Sequence, residues 1–199
     1  MFGTIKKMKK IAILAWGSVY WDPRRLPLDK DGNHNIQWGK DGPSLQLEFS
    51  RISGDSRLTL VIDETNGRST LTLYAFSKRN CVEDAVADLR DREGTILKNI
   101  GFSDLKRRIN SKNKYIDQPD VFDKIEQWAQ ERDIDAVVWT ALKSNFQKET
   151  KMEYNLDNAS KYLERLPANV KMKAKEYIEK APEQISTAFR DRFNSNNKG

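Results

Sequence analysis

One cysteine, one histidine and no long hydrophobic run set the first limits on this chain of 199 residues. Cys81 stands alone, so an internal disulfide is excluded and a reducing compartment fits. His34 is the single histidine, which removes zinc sites built from His and Cys ligands, and no metal is expected. A Ser-His-Asp triad would have to use His34, which sits in the loop Gly32-Asn33-His34-Asn35. The phosphate-cradling patterns GxxxxGK[ST] and GxGxxG are both missing. The longest apolar stretch, Ile11 to Trp16, has the length of a strand and falls far short of the roughly 20 residues that cross a bilayer. Met1 to Lys10 is basic but has no long apolar segment and no small-residue cleavage site, so no signal peptide is expected. Those absences point to the cytoplasm and away from membranes. The chain shows no internal repeat.

What is present supports a packed core. Hydrophobic residues make up 38% and aromatics 10%, with five tryptophans, a composition that argues against disorder. The net charge of +6 makes an anion such as nucleic acid a candidate partner. The basic residues are scattered, however, through Lys6-Lys7-Met8-Lys9-Lys10, Arg24-Arg25 and Lys106-Arg107-Arg108. Mixtures such as Lys173-Ala174-Lys175-Glu176 read as a solvated helix face, so nucleic acid is the disfavoured reading.

Periodicity divides the chain. Ile11 to Trp16 is apolar without a break, as in a strand buried on both faces. A loop rich in Asp, Gly, Pro and Asn follows, from Asp22 to Ser44. Leu45, Leu47 and Phe49 alternate with Gln46, Glu48 and Ser50, which predicts a half-buried strand. Leu58 to Ile62 and Leu71 to Phe76 give a third and a fourth, with turns at Ser53-Gly54 and Asn66-Gly67. After Asn80, a candidate N-cap, Val82, Ala85, Val86 and Leu89 predict a helix ending at Gly94. Ser103 to Gln118 is polar and basic. Asp120 caps a predicted second helix with a stripe of Val121, Phe122, Ile125, Trp128 and Ala129. Ala136 to Trp139 is a fifth strand, and the rest is helical, with Val170, Ala174, Tyr177 and Ile178 lining one helix and a frayed tail from Asn194 to Gly199. The expectation is an α+β fold: a small mixed β-barrel of about five to six strands with flanking helices over residues 1–142, and a helical C-terminal extension, 143–199, packed on the same domain.

Two segments carry candidate chemistry. Trp16-Gly17-Ser18-Val19-Tyr20-Trp21 ends a buried strand at Gly-Ser, where the backbone either approaches a ligand with its N–H groups turned outward or simply turns. Leu89-Arg90-Asp91-Arg92-Glu93-Gly94 ends the first helix with a carboxylate placed to suit a general base, or with an ordinary surface ion-pair cluster. Taken together and in this order, these pieces resemble the γ-glutamylcyclotransferases, nearest the glutathione-degrading branch. Trp16 to Trp21 is similar to the family's Tyr-Gly-Ser-Leu-Ile-Trp signature. Glu48 to Asp63, EFSRISGDSRLTLVID, looks like that branch's Arg, Phe, Ser, Arg segment leading into a strand, and Leu89 to Gly94 like the run that holds the catalytic Glu. The resemblance covers roughly residues 11–102.

What the resemblance implies is a closed or partly open barrel with a polar pocket, in which the α-amine of a γ-glutamyl amine or peptide attacks its own side-chain amide and releases 5-oxoproline. Glu93 would be the base, and Trp16, Gly17, Ser18, Val19 and Tyr20 would form the binding turn. Arg51 or Arg57 would pair with a substrate carboxylate, and no cofactor is needed because the cyclisation is intramolecular. The sequence departs from the family at Trp16, where a Tyr is usual, at Arg90, where many relatives carry Asp, and at Ile100-Gly101-Phe102, in place of Gly-Gly-Tyr. Those departures point to an altered substrate, or to a non-catalytic member of the same fold that binds a small molecule or, through its C-terminal helices, a protein partner.

Overall fold

A computed structural model describes residues 9–112 and 118–196. In chain order its elements are strands β1 (Ile11–Ala15), β2 (Ser44–Ile52), β3 (Leu58–Ile62), β4 (Arg68–Leu71) and β5 (Leu73–Ser77), then helix α1 (Val82–Glu93). A one-turn 3-10 helix (Leu97–Asn99), β6 (Ile100–Asp104), β7 (Ile109–Asn110), α2 (Pro119–Glu131) and β8 (Ala136–Thr140) follow. Four helices come last: α3 (Phe146–Thr150), α4 (Leu156–Arg165), α5 (Ala168–Lys180) and α6 (Ala188–Asn196). The basic start Lys6-Lys7-Met8 and the last three residues of the tail lie outside the described residues.

The α+β class is as expected, but the strands do not close into one barrel. They form a five-stranded sheet, ordered β5-β1-β8-β6-β7, and a three-stranded sheet, ordered β3-β2-β4. The reason is local. The predicted fourth strand, Leu71 to Phe76, is two strands interrupted at Thr72, whose N–H and hydroxyl both donate to the Pro43 carbonyl, at 3.2 and 2.9 Å. Leu71 is 51% exposed while Leu73 is 1% exposed, so the side-chain alternation restarts after the break. β4 then pairs with β2, and β5 belongs to the sheet of β1.

The chain divides into two compact units, one made of Met1–Leu14, Arg25–Gly39 and Tyr74–Thr140, the other of Ala15–Arg24, Lys40–Leu73 and Ala141–Gly199. In the first, β1 runs parallel to β8, with Ile11 opposite Ala136 and Ile13 opposite Val138, and β6 pairs antiparallel on the other side of β8. All of β1 and Ala136 to Trp139 of β8 are buried, which is what an unbroken apolar run anticipates. Val82, Ala85, Val86 and Leu89 form the buried stripe of α1, which packs on β8 and β6. The helix ends at Gly94, whose φ of 59° lets its N–H reach the Arg90 and Asp91 carbonyls. The N-cap is Cys81 rather than Asn80. α2 begins one residue before Asp120, with Pro119 in its first turn, where a missing N–H is harmless. The last two residues of β6 and all of β7 lie in the stretch from Ser103 that reads as polar, and Ser103 and Asp104 are buried there by partners. The Ser103 hydroxyl donates to Glu126 at 2.7 Å, and Lys9 and Arg107 both pair with Asp104.

In the second unit β2 is the central strand, antiparallel to β3 and β4. Its expected half-buried alternation fails: Glu48 and Ser50 are as buried as Leu47 and Phe49. Side chains of the C-terminal half bind the sheet's backbone. Asn145 accepts the Ile52 N–H at 2.7 Å and donates to the Ile52 carbonyl at 3.0 Å, so one amide acts as a strand neighbour. Gln184 donates to the Lys40 and Leu71 carbonyls at 2.9 and 2.8 Å. Arg190 holds the connection between α5 and α6 through the Pro182, Ile185 and Ala181 carbonyls, and burial lowers the pKa of its guanidinium. Among the described residues no helix is long and apolar enough to cross a membrane.

One packing contact sets a clear stability test. Gly101 of β6 lies flat against the indole of Trp139, which is fully buried and stacked edge-on with Phe122 at 5.0 Å. Gly101→Ala is expected to lower the unfolding free energy by about 2 kcal/mol, because a buried tryptophan has nowhere to move. Urea denaturation monitored by tryptophan fluorescence checks it.

Candidate functional site

Glu93 ends α1 one residue past Arg92, and the two differ sharply from the neighbouring charges. Arg90 pairs with Asp91 at 2.7 Å on the surface. Arg92 and Glu93 pair at 2.6 Å with side chains only 4% and 15% exposed. The buried stripe of the helix, Val82, Ala85, Val86 and Leu89, comes round to Arg92, so its guanidinium lies inward and takes the Glu93 carboxylate with it. The surface-cluster reading thus describes Arg90 and Asp91 alone.

The Trp16-to-Trp21 segment belongs to the second unit. Trp16 and Val19 are buried at 5% and 6% exposure, and Ser18 and Tyr20 are half-buried. The chain coils tightly there: the Tyr20 N–H donates to the Gly17 carbonyl at 2.9 Å, and the Asp22 N–H to the Ser18 carbonyl at 2.8 Å. Gly17 meets a side chain from far along the sequence. A Cβ at position 17 would lie 2.5 Å from the hydroxyl oxygen of Tyr177, on α5. The ring of Tyr177 is enclosed by Trp21 at 5.1 Å and Phe49 at 6.3 Å, both edge-on. The Arg57 guanidinium lies 5.4 Å from the same ring's centre and pairs with Asp55 at 2.8 Å.

Arg57 therefore joins the Gly17 turn through Tyr177. Arg51 goes elsewhere, donating to the Lys143 carbonyl at 2.8 Å, and burial lowers the pKa of its guanidinium against the opposing pull of Glu149. Sequence periodicity placed Tyr177 in an apolar stripe, which is right for its ring and silent about its hydroxyl. No short-range signal connects positions 17 and 177.

Sequence reasoning also missed Glu48, which alternation put on a solvent face. It is fully buried. Oε1 accepts its neighbour Phe49's N–H at 2.8 Å, Oε2 accepts the Phe189 N–H in the first turn of α6 at 3.3 Å, and Thr187 hydrogen-bonds from its hydroxyl. Burial pushes the Glu48 carboxyl above its ordinary value, and the negative charge of Asp63 adds to this, against the pull of those donors. The Tyr154 hydroxyl is enclosed beside Glu48 without a well-formed hydrogen bond, and burial together with both carboxylates keeps its proton firmly on. The register of β2 against β3 shifts between Glu48 and Arg51.

No family model, curated protein or solved structure matches the chain. Among the described residues, no group of three or more His, Cys, Asp and Glu side chains is arranged to hold a metal ion.

Glu48 has a pH signature. Its folded-state pKa is raised above the ordinary 4.5, so the native state holds its proton more tightly than the unfolded chain does. Its contribution to stability is therefore greatest in acid and is lost as pH rises from about 4.5 through the native value. Relative to Glu48→Gln, the wild type is expected to lose about 1.4 kcal/mol per pH unit across that window. Paired urea titrations between pH 4 and 8, converging at the acid end and diverging above it, check this.

Proposed function

We propose that this chain is a cyclotransferase-like enzyme that releases 5-oxoproline from a γ-glutamyl amine or peptide, with Glu93 as general base. The observation that carries the reading is the setting of Glu93: a carboxylate at a helix end, 15% exposed, gripped at 2.6 Å by a buried arginine. A side chain so held keeps one orientation, which proton transfer requires. The colinear motifs around residues 16–21, 48–63 and 89–94 supply the reaction class by resemblance.

In this reaction the substrate's α-amine attacks its γ-carbonyl carbon, closing a five-membered ring. Glu93 accepts the proton that the attacking nitrogen loses. The tetrahedral intermediate then expels the amine of the scissile amide, and Glu93 returns the proton to it. Atoms balance with no cofactor, since one amide bond forms as another breaks. The resemblance assigns the Gly17-Ser18-Val19 backbone to the glutamyl carboxylate or the oxyanion. Of the two arginines, Arg57 lies over the ring of Tyr177, the side chain that meets Gly17, whereas Arg51 donates to the main chain. The single cysteine fits work in the reducing cytoplasm.

The same Arg92 pair favours a second reading. A carboxylate neutralised by a buried guanidinium is also what a non-catalytic member needs, binding a small molecule or a protein partner while Glu93 secures the end of α1. A panel of γ-glutamyl amines, γ-glutamyl dipeptides and glutathione separates the two. Turnover by the wild type that falls about 10²- to 10⁴-fold in Glu93→Gln, measured at a temperature where a cooperative melt shows the variant still folded, supports the enzyme. No 5-oxoproline from any member of the panel assigns the chain to the binding reading.

A further inference from the structure

We propose that the groove along α5 is a self-association face, on which a second copy of this chain lays its own α5 antiparallel across a two-fold axis. The proposal is independent of the role given to Glu93.

The groove is open and has a volume of about 680 Å³. Ala168, Lys171, Met172, Lys175, Glu176 and Glu179 of α5 line it, with Leu166 at its edge. Those six positions alternate in steps of three residues and one, which on a helix makes a single continuous stripe. The stripe is turned away from the side that packs inward, Ala174, Tyr177 and Ile178. Met172 near its centre is 66% exposed, more than any other large hydrophobic side chain among the described residues. A single surface methionine is commonplace. What marks this face is the order of the charges around it.

That order decides the occupant. Lys171, Lys173 and Lys175 precede Glu176 and Glu179 along α5, so the exposed side is positive at its start and negative toward its end. Such an order opposes the helix dipole, which favours acids in the first turn and bases in the last. Lys180 alone sits at the favoured end, the first turn holds no acidic residue, and Pro167 at the N-cap offers no side-chain hydrogen bond. An antiparallel neighbour with the same order corrects both ends, because its negative half lies beside the positive half.

The stripe also has the symmetry that a two-fold contact needs. Positions 168 and 179, 171 and 176, and 172 and 175 share one midpoint, so in the antiparallel register centred there each faces its counterpart on the other copy. Lys171 meets the second copy's Glu176, and Glu176 meets its Lys171. Glu179 reaches the first turn at Ala168, where helix N–H groups need an acceptor. Met172 lies along the aliphatic stem of the second copy's Lys175. Lys171 now pairs with Glu164 at 2.9 Å and Glu176 with Lys180 at 2.6 Å. Both carboxylates are more than half exposed, and surface pairs of this kind exchange at little cost. The contact runs about 17 Å along each helix, which places it among small, reversible interfaces.

The test is sedimentation velocity on the full chain from micromolar to millimolar concentration, with thermal melting to verify folding. The wild type is expected to pass from monomer to dimer as concentration rises, and less readily at high salt, because the ion pairs lie at an exposed rim. Lys171→Glu and Glu176→Lys are each expected to fold and to weaken dimerisation about tenfold, since either change sets like charges face to face at two symmetric places. Mixing the two single variants in equal amounts is expected to restore association. Combining both substitutions in one chain is expected to do the same, because each arrangement returns opposite charges to register.

A wild type that stays monomeric throughout overturns the proposal. So does a dimer that neither single variant weakens, or a weakening that neither the mixture nor the double variant reverses. A monomer that instead captures an unlike protein through α5, with capture lost in both single variants, overturns the second copy as the occupant.

Discussion

A carboxylate taken fully out of water has to be met by donors, and the second unit is organised around one. Glu48 stands on β2, the strand with a partner along each edge, so it cannot swing into solvent without disturbing both ladders. The first turn of a helix has the complementary problem, N–H groups with no acceptor of their own and the positive end of the dipole. Phe189 and Thr187 at the start of α6 bring those donors to Glu48. Each side resolves the other's deficit, and the C-terminal segment is fixed at the sheet by that exchange. The raised carboxyl pKa is what remains of the desolvation cost after the donors are counted.

The same logic of close approach governs the Gly17 turn. Its glycine is required by a hydroxyl oxygen from a residue 160 positions away, as the Tyr177 contact shows. Aromatic rings and a guanidinium hold that oxygen where it is. Polar atoms carried by well-packed hydrophobic bodies recur through the chain. Tyr154 beside Glu48 and the Arg92 guanidinium holding Glu93 are further cases. Such groups combine a fixed position with a reactive or hydrogen-bonding tip, the combination from which sites are built.

Much of the fold was legible because short-range patterns decide it. Uninterrupted apolar residues from Ile11 to Ala15 and from Ala136 to Trp139 predicted the two strands that run side by side at the centre of the five-stranded sheet. The spacing of Val82, Ala85, Val86 and Leu89, closed by Gly94, predicted α1 to within two residues at its start and one at its end. The barrel was the error. Leu71 to Phe76 alternates convincingly, and only the turn of Thr72 toward Pro43 separates it into strands of different sheets. β6 was missed because its buried Ser103 and Asp104 look like loop residues until Glu126, Lys9 and Arg107 are placed beside them.

By itself the sequence determined the α+β class, the exclusion of disulfide and of zinc sites built from His and Cys, most helices and central strands, and the candidate residues from Trp16 to Tyr20, Arg51, Arg57 and Glu93. All of these depend on composition or on spacing within a few residues, where the periods of helix and strand impose order. Tertiary structure alone decided that Glu48 is buried, that Arg92 turns inward with Glu93, that Arg51 binds the main chain, and that Tyr177 presents its hydroxyl to Gly17. Each of those depends on which polar groups a distant segment delivers, and burial gives such groups their energetic weight only after the chain has folded.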